Sequence, residues 1–173
     1  LYLSLGANRL TGPIPREIGR LTRVLQLDLY DNAPRGAIPP EITGMASLED
    51  ASSDFGFNAL AADPVTLEFV NRKQYDGDVL LTQTLTPPNV RVVQTTDRSA
   101  TLEWDLIRYL WDGGGYQVTV KNPAGATVAI ATTPSKENAS IVVRGLAAST
   151  QYQFIVATVT HPHDQQKNII VSD

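Results

Sequence analysis

The sequence predicts a mixed, mainly β chain in two parts: a repeat solenoid closed by a short capping helix, then an all-β antiparallel sandwich. Two observations carry this. A segment near the start recurs after 24 residues, and from Asn89 onward apolar residues alternate with the period of two expected of half-buried strands. A third is the absence of cysteine, which removes disulfides and thiolate metal sites, so each half must bury its own modest core.

In the repeat, LYLSLGANRLTGPIPREIGRL aligns with LQLDLYDNAPRGAIPPEITGM. Leu3 pairs with Leu27, Leu5 with Leu29, Asn8 with Asn32, Gly12 with Gly36, and Ile14 with Ile38. A short strand puts the leucines on one face, and the asparagine turns the chain while its amide binds open backbone groups. Gly12 and Pro15 shape the return arm, and Ile14, Ile18 and Leu21 fill the space behind it. A third unit, from Leu48 through Phe55 and Asn58 to Leu60, has Asp50 and Ser53 where leucine is expected. Degradation of this kind suits an end coil that shields the last apolar layer. In ADPVTLEFVNRKQ, Asp63 is placed to cap a helix that Pro64 begins, with Leu67 and Val70 facing the repeats. The segment YDGDVLLTQTLTPP reads as an ordered linker.

These repeats resemble the leucine-rich repeat, in the variant with an L-T-G-x-I-P return segment (here Leu10 to Pro15). The resemblance covers about the first third of the chain. It implies a solenoid whose concave face recognises a partner.

In the second half, VRVV, ATLEW, YQVTVK, TVAIAT, SIVVRGL and YQFIVATV are separated by turn residues, giving six or seven short strands. Trp104 closes one strand, Tyr116 opens the next after Gly113 to Gly115, and Leu146 precedes Tyr152 in the pattern L-x-x-x-T-x-Y-x-F-x-V. From Pro88 onward the chain resembles a fibronectin type III domain, which implies that Tyr152 ties a loop to its strand through its hydroxyl. Two segments depart from that pattern: a long stretch between strands, DLIRYLWDGGG, and an extended loop before the last strand, THPHDQQKN. The expected organisation is residues 1–74 as the leucine-rich array and cap, 75–87 as linker, and 88–173 as the sandwich. The pairing of such modules resembles bacterial cell-surface proteins and implies an extracellular or cell-surface location. The chain starts at Leu1 without an apolar signal core, so a targeting peptide is expected to lie outside it.

A net charge of -4, with 42% hydrophobic and 18% charged residues, offers no basic face for phosphate backbones, so nucleic acid is not expected as a partner. No apolar run reaches the roughly 20 residues of a membrane helix. His161-Pro162-His163-Asp164 is the only histidine cluster, but two histidines split by proline do not converge readily on one ion. Asp76-Gly77-Asp78 lacks the further oxygen ligands of a calcium loop, and Gly113 to Gly115 reads as a flexible bend rather than a phosphate cradle. No nucleophile elbow accompanies the histidines. The expectation is therefore no catalytic residue, no metal and no cofactor: a non-enzymatic recognition or adhesion module for a protein or glycan. The alternatives are accessory modules of a secreted hydrolase, or a structural spacer.

Candidate contact residues follow from the solenoid geometry. The side chains between the strand leucines point outward, giving Tyr2, Ser4, Gln26, Asp28 and Asp54, with Tyr30, Asp31 and Phe57 beside them. Aromatic rings among short polar groups bury area at low entropy cost. On the sandwich, Tyr109 and Trp111 with His161 and His163 form a second expected patch, unless Trp111 folds back as a lid on the core.

Overall fold

The computed structural model describes residues 1–173. Five short strands open the chain: β1 (Tyr2–Ser4), β2 (Thr11–Gly12), β3 (Gln26–Asp28), β4 (Ala33–Ala37) and β5 (Ala59–Ala61). β1 lies parallel to β3 with Leu3 opposite Leu27, and β2, β4 and β5 form a second parallel set in that order. Two 3-10 turns, Arg16–Arg20 and Pro40–Gly44, stack on the opposite side. Gly19 is needed there, because a side chain would collide with the Glu41 carbonyl of the next turn.

The asparagines join the turns. Asn32 is fully buried; its amide nitrogen donates to the carbonyls of Leu5 (2.9 Å) and Leu29 (3.1 Å), while its oxygen accepts the Leu10 N–H at 2.9 Å. Asn58 repeats this one level on, donating to the Leu29 and Phe55 carbonyls and accepting the Asn32 N–H at 3.1 Å. Side-chain amides thus satisfy buried backbone groups that no strand pairing reaches. At the far end glutamines take over: Gln74 accepts the Phe55 N–H and Gln83 accepts the Leu60 N–H, both at 2.9 Å. Leu27, Leu29, Ile38, Ile42, Phe55, Leu60 and Val70 fill the interior.

The helix expected after Asp63 is α1 (Pro64–Lys73). Asp63 accepts the N–H groups of Val65 and Thr66, Pro64 occupies the first turn where its missing N–H costs nothing, and Val70 is buried against the stacked turns. A 3-10 turn, Val79–Thr82, follows.

Seven strands make the second half: β6 (Arg91–Thr95), β7 (Ser99–Glu103), β8 (Gly114–Lys121), β9 (Thr127–Thr132), β10 (Ser140–Arg144), β11 (Gln153–Thr160) and β12 (Ile170–Val171). They form two antiparallel sheets, ordered β10-β7-β6 and β12-β11-β8-β9, around Leu102, Trp104, Tyr116, Val118, Val120, Val143 and Val156. Trp104 and Tyr116 pack with ring centroids 5.0 Å apart. The Tyr152 hydroxyl accepts the Ala147 N–H at 3.0 Å, tying the loop before β11 to its strand. Gly114 and Gly115 are not the flexible bend expected: both pair within β8, where side chains would collide with the carbonyls of Val159 and Thr133.

The fold class expected from the sequence is corrected. A solenoid is quasi-one-dimensional, each coil touching only its neighbours. Here the first turns are crossed by the loop that follows β11: the Lys167 N–H donates to Asp31 Oδ1 at 2.7 Å and Asn168 Nδ2 to the Asn8 carbonyl at 3.0 Å, contacts 136 and 160 positions apart in sequence. The strands of the stacked turns are two to five residues long, and the extended sheets lie in the second half. The chain is mainly β with one α-helix and a sandwich, not a leucine-rich repeat solenoid joined to one.

Candidate partner-binding surface

Parallel pairing of β1 and β3 aligns outward side chains in columns, Tyr2 beside Gln26 and Ser4 beside Asp28, and a bridge carries the second column on to Asp54. Tyr2 is 69% exposed. Gln26 Nε2 donates to both carboxylate oxygens of Asp28, at 3.2 and 2.9 Å, and Asp54 Oδ1 accepts from Gly56 N–H at 2.8 Å and Gln74 Nε2 at 2.9 Å. The Tyr30 ring covers Gly6, where any side chain would overlap it. Tyr2, Ser4, Gln26, Asp28, Tyr30 and Asp54 therefore share one face.

Two expected contact residues are not free surface. Asp31 is 4% exposed, because its left-handed backbone (φ 48°) turns the carboxylate inward to receive the Lys167 N–H. Tyr109 is fully buried: Phe57 packs edge-on at 6.2 Å, Trp111 at 5.4 Å, and the Lys136 ammonium sits 3.7 Å from its ring centroid. Its hydroxyl donates to Asp112 at 2.5 Å and lies 2.9 Å from His163 Nε2. His163 Nδ1 accepts the Gln165 N–H at 3.4 Å. Phe57 also packs on the His163 ring at 5.4 Å, so the stacked turns and the sandwich meet through this cluster. Trp111 remains 60% exposed and is not a lid on the core; His161 is exposed, its N–H donating to the Gly113 carbonyl.

Burial and its contact with Asp112 push the Tyr109 hydroxyl well above the usual phenol range. Burial pushes Lys136 down to about 8, against the opposing pull of Asp112. The Lys136 Nζ donates no hydrogen bond. Asp112 and Lys136 carry no motif in the sequence, and only the packing brings them to Tyr109. No group of three or more His, Cys, Asp or Glu side chains has the geometry of a metal site.

A cleft of about 430 Å³ opens where three segments converge: Tyr30 and Phe57 from the stacked turns, Tyr75 and Asp76 after α1, and Asp164 and Lys167 from the loop before β12. Sequence reasoning did not bring Tyr75, Asp76 and Lys167 to this face, because they share no spacing with it.

The sequence profile described as "Fibronectin type III domain" matches residues 85–171. Similar solved structures include a segment of two fibronectin type III domains from chicken tenascin, 23% identical over 51% of this chain and 48% of that one, with a TM-score of 0.39. A fibronectin type III domain of human collagen XX is 19% identical over 49% of this chain and 85% of that one, also with a TM-score of 0.39. The chain spans about half the length of the tenascin segment. No curated protein matches it. The profile match starts at residue 85, beyond the stacked turns, and supports no leucine-rich repeat at residues 1–74.

Proposed function

We propose, for a chain that belongs to the fibronectin type III family through residues 85–171, a non-enzymatic recognition or adhesion role at or outside the cell surface. Domains of this family are commonly extracellular modules for adhesion or spacing and are generally non-catalytic. No helix here is long and apolar enough to cross a membrane. In this reading residues 1–74 form the stacked-turn half, 75–87 connect it, and 88–173 form the sandwich. The contact surface is the face of Tyr2, Ser4, Gln26, Asp28, Tyr30 and Asp54, extended by Phe57, with Trp111 and His161 as a second patch. The partner is a protein or glycan.

The observation that carries this is the aligned column of outward polar and aromatic side chains, of which Tyr2 is 69% exposed. Rings presented beside short polar groups are what recognition surfaces use. Screening the purified chain against protein and glycan arrays tests it: binding that disappears in a Tyr2→Ala/Tyr30→Ala variant supports the face, and binding untouched by that variant removes it.

A rigid spacer is the second reading, favoured by the joint between the halves. The Thr84 and Thr160 hydroxyls meet at 2.7 Å, Thr158 Oγ1 donates to the Leu85 carbonyl at 2.6 Å, and Arg108 pairs with Asp78 at 2.5 Å. Silence across both arrays, together with a fixed interdomain distance, would favour it.

A further inference from the structure

We propose that Asn138, on the connection between β9 and β10, carries an N-linked glycan, and that this glycan covers the open edges of those two strands. The inference takes from the recognition reading above only the export from the cell that an extracellular role requires.

Sequence supplies the acceptor. Asn138-Ala139-Ser140 places a hydroxyl two residues after an asparagine with no proline between them, the pattern that N-glycosylation uses. No other asparagine of the chain has Ser or Thr at that spacing.

The fold then presents the reacting atom. Asn138 Oδ1 accepts the Ser135 N–H at 3.1 Å and the Ser135 hydroxyl at 3.0 Å, so the amide oxygen is fixed toward its own turn. Its Nδ2 donates to no protein group and is not withdrawn from solvent. Ala139 and Ser140 are exposed, while Lys136, buried with its ammonium 3.7 Å from the Tyr109 ring centroid, pins the same turn from inside. Transfer joins Nδ2 to the anomeric carbon of a polyprenyl-diphosphate-linked oligosaccharide. The bond from that carbon to the diphosphate breaks, the diphosphate keeps the electron pair, and one amide proton passes to the transferring enzyme. Both hydrogen bonds to Oδ1 survive the step.

The edge beside this turn is an independent observation. β9 and β10 each end their sheet, and they are neighbours in the fold. An open edge of unpaired backbone groups recruits another chain unless charge, proline, a bulge or brevity blocks it. The opposite edges are blocked: β6 carries Arg91 and a bulge between Val92 and Gln94, and β12 is two residues long. β9 has neither charge nor proline, β10 has none before Arg144, and the irregularity in the β8–β9 register lies at the Thr127 end of β9, away from Asn138. Val128 is 50%, Ile130 60% and Val142 41% exposed on these strands. A bulky hydrophilic oligosaccharide rooted two residues before β10 supplies the cover that they lack.

The test is expression of the full chain behind a secretion leader in eukaryotic cells, read by intact mass before and after peptide N-glycosidase, which converts the asparagine it frees to aspartate. The parent and Ser140→Thr should carry a single glycan, with the conversion at position 138. Ser140→Ala, which leaves both Asn138 hydrogen bonds in place, should carry none. An unmodified parent, or a glycan that persists in Ser140→Ala, overturns the site. Sedimentation tests the cover: Ser140→Ala should self-associate as concentration rises where the parent does not, and adding Ile130→Lys should restore the monomer. Ser140→Ala that stays monomeric like the parent overturns the covering role. Array binding lost in Tyr2→Ala/Tyr30→Ala together with an unmodified parent overturns the glycan alone. A glycan on Asn138 with silent arrays leaves the site standing and removes the recognition face.

Discussion

Lys136 is the residue whose environment departs furthest from what its side chain prefers. It is 1% exposed, without a hydrogen bond, and compensated by the Tyr109 ring and the neighbouring Asp112. An ammonium held out of water without a hydrogen bond or an ion pair carries a desolvation cost that an apolar side chain does not. Lys136→Met should therefore raise the melting temperature near pH 7, and a fall would show the ammonium–ring contact to be a net anchor. The pH dependence follows from the same group. Its pKa is lowered from 10.5 to about 8 in the fold, so between those values the unfolded chain holds a proton that the folded chain does not, and stability rises with pH. Thermal melts from pH 7.5 to 10.5 should show that rise relative to Lys136→Met, in which the component is absent. At the other end of the sandwich, Tyr152→Phe should cost about 1 kcal/mol in urea unfolding by leaving the Ala147 N–H unmatched. The role of Tyr152 was legible from its place in L-x-x-x-T-x-Y-x-F-x-V; that of Lys136 was not, since nothing near it in sequence signals a ring partner 27 positions away.

Among the elements, the stacked turns depend on their asparagines and leucines in separable ways. Leu29→Ala opens a cavity in a core with little room to collapse and should cost about 2–5 kcal/mol. Asn58→Ala keeps the apolar packing but strips donors from the Leu29 and Phe55 carbonyls, so about 1–3 kcal/mol should be lost. Urea unfolding of the two variants checks both, and an Asn58→Ala variant as stable as the parent would mean that water replaces the amide. Tyr30→Ala on the exposed face should leave stability near that of the parent, whereas Asp31→Ala should lower it by releasing the loop at Lys167. The pairing of Leu3 with Leu27, and of Asp63 with the helix it caps, was readable because both rest on short-range spacing. The burial of Tyr109 was not, because DLIRYLWDGGG has no period to separate inward from outward positions, and its path is set by Phe57 arriving from the other half.

For the whole molecule, the halves are joined through Phe57, Thr84, Thr158 and Arg108 rather than by the connecting chain alone. A single cooperative melt is expected for the parent. Phe57→Ala combined with Thr160→Val should split it into two transitions, and calorimetry showing one transition in both proteins would count against a coupled joint.

From the sequence alone came the 24-residue repeat, the capped helix and the membership of residues 85–171 in their family, since each is written in spacing: three to four residues for a helix, two for a strand, 24 for a stacked turn. Tertiary structure alone decided that the stacked turns are not an independent solenoid, that Asp31 and Tyr109 are buried, and that Asp76, Asp164 and Tyr75 meet around one cleft. The reason is physical. Local periodicity says which way a side chain points from its own backbone, but what it meets there depends on residues up to 160 positions away, brought close only when the two halves pack.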